Sequence, residues 1–479
     1  MLFGSELPEV SDDDWAKTPA SARHLVASLV ARVALLDARV VKQDREIAAL
    51  REQIGKNSRN SSKPPSSDPP GVPPTPPKGS KKKRGGQKGH PKHSRERLPA
   101  DRVVPCVPEA CAHCEHPLQG SDPDPEWHQV VDVPVVLRDV TEYQMHCLTC
   151  PSCGGQSVGT LPEDVTTSGF GPRLHALVAL LTGRYRQSKR LASEILEEVF
   201  QIPMSLGAVS KVEARVSDAL EAPYVEAQTA AQEAPWANVD ETSWREDKAG
   251  AWLWVMATVL VTLFRVHRNR SKDAAQTLMG ATFAGVAITD RYSAYLWLDP
   301  ERRQVCWAHL DRDFAAMVDR GGRSAEVGRA LQRESARMFK WWSWVKQGRR
   351  DRAWLVRKLP ELKRAVRRAL EGGTRCGHEK TAGVCREILA LFVALWTFAT
   401  VEGVEPTNNR AEQDLRPAVQ MRKLSFGTDS ARGSRFFERI MTVVMTLRRQ
   451  KRALLDWVAE AYESFRLRRP LPSLLPQPP

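Results

Sequence analysis

Between residues 24 and 54 apolar side chains recur at Val26, Leu29, Val33, Leu36, Val40, Ile47, Leu50 and Ile54, with Gln43 the one polar residue in the seam. Alternating steps of three and four predict a coiled coil over residues 20–54, because only a partner helix buries such a seam. A surface helix packed on its own domain is the alternative. The period then vanishes. Residues 55–100 contain GKNSRNSSKPPSSDPPGVPPTPPKGS and a run of Lys and Arg. They have too few apolar side chains for a core and predict a disordered basic linker. Over residues 101–160 the stretch HQVVDVPVVLRDVTEYQMH reads as a strand pair lying between two cysteine pairs. Residues 165–220 return to a helical period in three pieces. The first ends near Gly183, the second runs from about Ser188 to Phe200, and the third is opened by Ser205 as N-cap.

Residues 230–316 change to short apolar runs. Pro235–Asp240 reads as the end of a buried strand, followed by strands at Trp252–Met256 and Val259–Val266 and a helix through Ala274–Leu278. Phe283–Asp290 is another apolar strand ending on Asp, and Gln304–Trp307 a further one before a helix near His309. The order strand–strand–strand–helix–strand–helix–strand is that of a ribonuclease-H-like α/β core, with residues 402–440 completing it. In such cores a carboxylate on the first strand sits beside one at the end of the fourth. Residues 317–401 read as an all-helical insertion, and 441–479 as a C-terminal helix and Pro-rich tail. The fold class predicted is multidomain α+β.

Composition narrows the function. The chain has 479 residues, 42% of them hydrophobic, and a formal charge of +14. A large basic chain usually meets a polyanion, most often nucleic acid. The start, MLFGSELPEVSDDDW, lacks the basic end and apolar run of a signal peptide. The most apolar runs, Ala251–Phe264 and Ile388–Val401, fall short of the ~20 residues that span a bilayer. A cytoplasmic protein without a membrane partner is expected. Its nine cysteines should then be reduced. Cys111 with Cys114 and Cys150 with Cys153 form two CxxC knuckles, which predict one structural Zn2+. Cys106, Cys147 and His113 are nearby substitutes, read instead as small buried side chains.

Three sets of residues point toward DNA. Lys81, Lys82, Lys83, Arg84 and Lys88 can lie along phosphates, or simply keep the linker extended. The second and third helical pieces resemble a helix-turn-helix with Lys211 and Arg215 on the groove-facing helix; a purely structural helix pair reads equally well. The third set is acidic. Cutting or joining a phosphodiester requires an activated oxygen nucleophile and a stabilised leaving oxygen, and two divalent cations do both. Mg2+ or Mn2+ prefers carboxylate oxygens. Asp240 and Asp290 would supply two and Glu412 the third, in TNNRAEQDLRP, where Thr407 is a plausible N-cap. Asn409 and Arg416 share the face of Glu412 and would lie near phosphates. His309 reads as a contact to the scissile phosphate or as a neighbour supporting the acids.

Several stretches resemble the transposases of the bacterial insertion sequence 66 family. They are the coiled coil, GKNSRNSSKPPSSD, RGGQKGH, HQVVDVP, TEYQMHCLTCPSCG, FGPRLHALVALLTGRYRQSKR, NVDETSWRE, ITDRYSAY, CWAHLDRDF and TNNRAEQDLRPAVQMRKLSFGT. They cover nearly the whole chain in the family's order. The resemblance implies an acidic-triad (DDE) transposase with Asp240, Asp290 and Glu412 as catalytic acids. It also implies zinc at Cys111, Cys114, Cys150 and Cys153 and a helical insertion between the second and third acids. Expected partners are the inverted-repeat ends and target DNA, further copies of the chain (at least a dimer) and small accessory proteins. The chain departs from the pattern at Gln413 and Asp414, where the family commonly has Arg then Ala. Asp414 lies two residues from Glu412 and points away on a helix. The acidic run Asp311 to Asp313 reads as structural. A DNA-binding regulator without catalysis and another ribonuclease-H-like nuclease are the rival readings.

Overall fold

The computed structural model describes residues 11–61, 97–120, 122–132, 138–166 and 168–476. In chain order the first elements are α1 (Asp12–Lys17), α2 (Ala20–Ile54), β1 (Cys147–Thr149), β2 (Gln156–Val158), α3 (Pro172–Gly183), α4 (Lys189–Phe200), α5 (Leu206–Ala219) and α6 (Glu221–Gln232). A run of strands follows: β3 (Trp236–Glu246), β4 (Ala249–Ala257), β5 (Thr262–His267), then α7 (Lys272–Met279), β6 (Val286–Thr289) and β7 (Arg303–Val305). The rest is helical: α8 (Trp307–Asp319), α9 (Gly322–Lys346), α10 (Arg352–Gly373), α11 (Glu379–Ala390), α12 (Thr397–Thr400), α13 (Asn409–Ser425), α14 (Ala431–Arg449) and α15 (Leu454–Arg466). The chain divides into two compact units. One holds residues 227–427 together with the N-terminal helices, the other the segment ending at Glu226 together with 428 onward.

The first unit is built on a five-stranded sheet of order β5-β4-β3-β6-β7. β3, β4 and β5 are antiparallel neighbours, whereas β6 runs parallel to β3 and β7 parallel to β6. Leu253, Trp254, Val255 and Met256 are consecutive in β4 and all fully buried, as a strand covered on both faces requires. α13 packs on β3 and β4, and α7 on β4. Beyond β7, α8 to α12 form a helical layer whose core includes Phe314, Met338, Leu362, Trp396 and Phe398. Trp307 meets Trp396 edge-on at 5.2 Å, and Trp342 meets Phe398 at 5.3 Å.

Three details differ from the sequence expectation. β3 does not end at Asp240. It continues to Glu246 and turns through Asp247 and Lys248, both at positive φ, the geometry of a two-residue hairpin whose twist suits paired strands. Asp240 is therefore mid-strand. Between β6 and β7 there is no α-helix, only single turns at Ser293–Tyr295 and Pro300–Arg302. The segment is short, and its turns place Tyr295 in the core. Thr407 does not cap α13. Asn408 occupies that position, with its side chain turned inward.

α2 is one helix of 35 residues, ~52 Å long at 1.5 Å per residue. Its seam stays open to solvent: Leu36 is 50% exposed and Val40 52%. Among the described residues, its C-terminal end and the turn that follows are fastened. Glu52 pairs with Arg320 at 3.4 Å and with Lys380, and Asn60 donates to Asp319 at 2.8 Å.

In the second unit α15 and α5 pack on α3, and α14 on α5. The helix starts at Ser188 and Ser205 are capped as the sequence predicts: their hydroxyls accept from the amides of Leu191 and Ala208. The expected strand pair between the cysteine knuckles is absent among the described residues. β1 instead pairs with β2 as a short hairpin flanking the second knuckle. Both of its strands are fully exposed, so no hydrophobic face extends them. Residues 133–137 of the expected pair lie outside the described residues.

Candidate active site

β3 and β6 run side by side with Asn238 opposite Ile288. Two residues further along each chain stand Asp240 and Asp290. The parallel register thus delivers two acids to the same edge of the sheet. The Asp240 carboxylate accepts from the Glu241 amide at 2.9 Å. That of Asp290 accepts from the Tyr292 amide at 2.9 Å, which sets it in the turn leaving β6. Burial, with repulsion from Glu241, Asp290 and Glu412, pushes Asp240 well above the ordinary carboxylate range. Of the three acids singled out from the sequence, Asp240 thus stands close enough to both others to feel their charge.

Glu412 comes from the first turn of α13, and a buried amide places that helix. Asn408 donates to the Val239 carbonyl at 2.8 Å and accepts from Asn238 at 2.9 Å, while its own N–H donates to the Cys306 sulfur at 3.2 Å. The Trp307 amide donates to the Pro406 carbonyl at 2.9 Å. The N-termini of α8 and α13 are thereby joined beside Asp240. Burial pushes the Cys306 thiol up to about 12. Glu412 Oε1 lies 3.8 Å from His309 Nδ1 and 3.9 Å from Arg312, and neither that oxygen nor that nitrogen has a hydrogen-bond partner. Burial, followed by Arg312, pushes His309 down, which favours the neutral ring that can act as a ligand. The donor atoms of Cys306, His309 and Glu412 lie within 4.8 Å of one another, a group able to hold a metal ion.

A second ring of contacts was not visible in the sequence. Glu241 points to the opposite face of β3 from Asp240. It is held by Arg270, with Nε at 2.8 Å and Nη2 at 2.6 Å, and by the Tyr295 hydroxyl. Arg270 stacks 3.7 Å from the Tyr292 ring and 4.9 Å from that of Trp252, and reaches within 3.9 Å of Asp290. The fully buried Arg303 donates to Thr289 Oγ1 at 3.0 Å, to the Asp290 carbonyl at 2.7 Å and to the Tyr295 carbonyl at 3.2 Å. Burial lowers it to about 10, so it remains charged at neutral pH. Its fork braces the turn that carries Asp290. Asp313 pairs with Arg291 at 2.9 Å. Asp414 is buried and accepts from Thr262 Oγ1 at 2.8 Å, which ties it to β5.

Asn409 and Arg416 are exposed on α13, and Lys211 and Arg215 on α5. Lys81, Lys82, Lys83, Arg84 and Lys88 lie outside the described residues. Each cysteine knuckle is formed separately, and the four sulfurs of Cys111, Cys114, Cys150 and Cys153 are not drawn into one cluster. In the first, the N–H groups of His113 and Cys114 bond the Cys111 sulfur and pull its thiol down. Those of Cys153 and Ser152 do the same for Cys150. Cys106, Cys147 and His113 are exposed rather than buried as expected, in a segment whose described residues are nearly all exposed.

A family model described as the transposase IS66 family matches residues 168–435, which include all three acids and the paired helices α4 and α5. The chain belongs to the IS66 family. A second model, for a family of unknown function (DUF6444), matches residues 6–96. This IS66-family chain is also 28% identical over 237 residues to the uncharacterized protein y4qI of Sinorhizobium fredii (strain NBRC 101917 / NGR234). That match takes in 44% of the chain and 43% of the relative, so the chain spans less than half of that protein's length. No helix among the described residues is long and apolar enough to cross a membrane.

The crowding of acids has a measurable consequence. A carboxyl whose value is raised by folding stabilises the fold most at pH below its unfolded value, and that contribution is lost as the pH rises through the raised one. Metal-free protein should therefore lose stability on going from mildly acidic to mildly alkaline pH. Asp240→Asn should remove part of that loss and raise the unfolding midpoint at neutral pH, by about 2–4 °C for each kcal/mol of repulsion relieved. Thermal unfolding in chelator checks this; an unchanged or lower midpoint would mean that the acids do not repel.

Proposed function

We propose that the chain is a DNA transposase that binds the terminal inverted repeats of its own element and cuts and joins DNA strands with divalent metal ions. The observation that carries the reading is the placing of Asp240 and Asp290 on adjacent strands of the five-stranded sheet, with Glu412 on α13 near enough to help raise Asp240. A buried Glu412 oxygen without a hydrogen-bond partner, near Asp240, fits divalent cations, since hard ions take carboxylate oxygens and relieve repulsion among them. When bound, two Mg2+ or Mn2+ ions would activate the attacking water or 3′-hydroxyl and stabilise the leaving oxygen. Asp240 and Asp290 would hold them from the sheet and Glu412 from α13.

The remaining residues keep that arrangement in place. Asn408 sets the start of α13 and hence the reach of Glu412. Arg303 fixes the backbone of Asp290. Arg270 and Tyr295 hold Glu241 on the other face of β3, and the Arg270 charge offsets part of its own. His309, favoured in its neutral form, supports Glu412. Exposed Asn409 and Arg416 would meet phosphates near the reacting strand. On this reading α4 and α5 form the helix-turn-helix, with Lys211 and Arg215 toward DNA. The basic segment from Lys81 to Lys88 adds affinity independent of sequence. The two knuckles would close on one Zn2+, because backbone N–H groups aimed at sulfur stabilise the thiolate form that zinc takes. The α2 seam would pair with a second copy, as joining two DNA ends requires at least two protomers.

Asp240→Asn, Asp290→Asn and Glu412→Gln should each lower Mg2+-dependent cleavage of the element's ends by at least about a thousandfold, with end binding retained. Asp414→Asn should cleave nearly normally unless loss of its Thr262 bond destabilises the fold, which circular dichroism reports separately. An active Glu412→Gln beside a folded but inactive Asp414→Asn would overturn the assignment of the third acid. For the knuckles, elemental analysis should find about one zinc per chain, lost in Cys111→Ser and Cys153→Ser and kept in Cys147→Ser. Retention of zinc in Cys153→Ser would exclude the four-sulfur site. For the seam, Leu36→Asp should shift the chain from dimer to monomer in sedimentation and impair pairing of two ends more than binding of one. An unchanged oligomer would move assembly to another surface.

A further inference from the structure

α13 begins at the candidate third acid and ends in an unusual way. Its last turn carries Arg422 and Lys423, and Phe426 follows in the left-handed region with φ 61°. That position usually belongs to glycine, because a Cβ there crowds the backbone. Phe426 accepts that strain while leaving 67% of its surface in solvent. Among the described residues, most of the ring is left uncovered. The turn is nonetheless rigid. The next residue, Gly427, at φ 133°, lies so close to β3 that an added Cβ would stand 2.2 Å from the Arg245 carbonyl oxygen. Phe426 is therefore presented outward by a turn clamped to the sheet.

The ring borders a groove of about 520 Å³ lined by Trp244, Arg245, Gly250, Arg422, Lys423 and Phe426. Three of these six are cationic and none is acidic. Trp244 is buried beneath, and space above Gly250 is open to 4 Å. Arg422 is fastened by bonds to the Ser243 carbonyl at 2.7 Å and to Thr242 Oγ1 at 3.1 Å, so its charge has a fixed place. A rigid, exposed aromatic face beside fixed cations suits single-stranded nucleic acid: the ring stacks on a base whatever its identity, and the cations take the phosphates.

We propose that Phe426 is a stacking platform for an unpaired base, with Arg245, Arg422 and Lys423 holding the flanking phosphates. The site lies about four turns down α13 from Glu412, ~21 Å along the axis. Measured along one strand of a duplex, that is about six nucleotides. The groove would thus grip a strand opened near the reacting phosphate and use a single helix to set the distance between grip and acids. The inference rests on the reading of the chain as a DNA enzyme, and its test separates the two.

The test uses the full chain without metal and a mixed-sequence single-stranded oligonucleotide containing 2-aminopurine, with the matching duplex as control. The parent should bind the single strand and quench the fluorescent base. Phe426→Ala should lose the quenching and bind the single strand about tenfold more weakly, with duplex binding little changed, and Phe426→Trp should keep both. Phe426→Gly supplies the readout that a structural role would not: it should raise the unfolding midpoint by relieving the backbone while still losing the stack. Parent-like quenching and affinity in Phe426→Ala would overturn the platform alone. So would a change of oligomeric state in that variant with DNA binding intact, which would give the groove to a second copy. A parent chain that binds neither oligonucleotide would overturn the DNA reading and the platform together.

Discussion

Like charges held close together demand a scaffold that outweighs their repulsion, and in this chain that scaffold is a small set of buried polar contacts. The Asn408 side chain bridges β3 and the start of α13 through Asn238 and the Val239 carbonyl. It sits one turn before Glu412 and one residue from Asp240 along the bonded strand. A buried amide with its partners satisfied specifies one geometry, because any slip leaves several polar groups without bonds in a dry environment. Arg303 does the same for the turn at Asp290. The aliphatic core holds the sheet together, but these contacts decide where the acids point.

The second consequence concerns Glu241. A fourth carboxylate next in sequence to Asp240 would make the cluster still more unfavourable. Strand alternation sends it to the other face, where Arg270 and Tyr295 receive it. Arg270, clasped between two aromatic rings, also stands near Asp290 and offsets part of its charge. The cluster is thus graded. Glu241 has a hydrogen-bonded Arg270 and Tyr295, Asp290 has Arg270 at the edge of ion-pair reach, and Asp240, with neither, is the acid that burial and its neighbours push up.

Much of this was legible in the residues. Apolar runs marked β3 to β7, two of them leading into Asp240 and Asp290, because a sheet covered on both faces leaves few polar residues in its strands. Ser188 and Ser205 marked the helix starts through capping chemistry. Glu412 was singled out by its helix face and by the family resemblance rather than by any local strand. Asn238, Asn408, Arg303 and Arg270 were invisible, since a buried polar residue leaves no period and its partner lies many residues away. The end of β3 was misplaced for a related reason: Thr242 to Glu246 alternate only weakly, and the hairpin at Asp247 and Lys248 uses residues that do not advertise a turn. Of the strand pair expected between the knuckles, the described residues show only the hairpin of β1 and β2 around the second knuckle, since the Val-rich run carries no turn signal that fixes where a strand starts or ends.

The two acids on the sheet and the one on α13 are separated in sequence by the helical layer of α8 to α12. On a ribosome adding about 5–20 residues per second, the sheet edge emerges many seconds before Glu412 does. An unfinished chain carries two of the three carboxylates and no α13 to complete them. The separation acts as a timing device: a nascent chain, or one truncated anywhere within the helical layer, carries both sheet acids without ever completing the acidic site. A cell that makes such fragments from this gene would receive partial proteins with an open acidic edge, but not a complete set of acids.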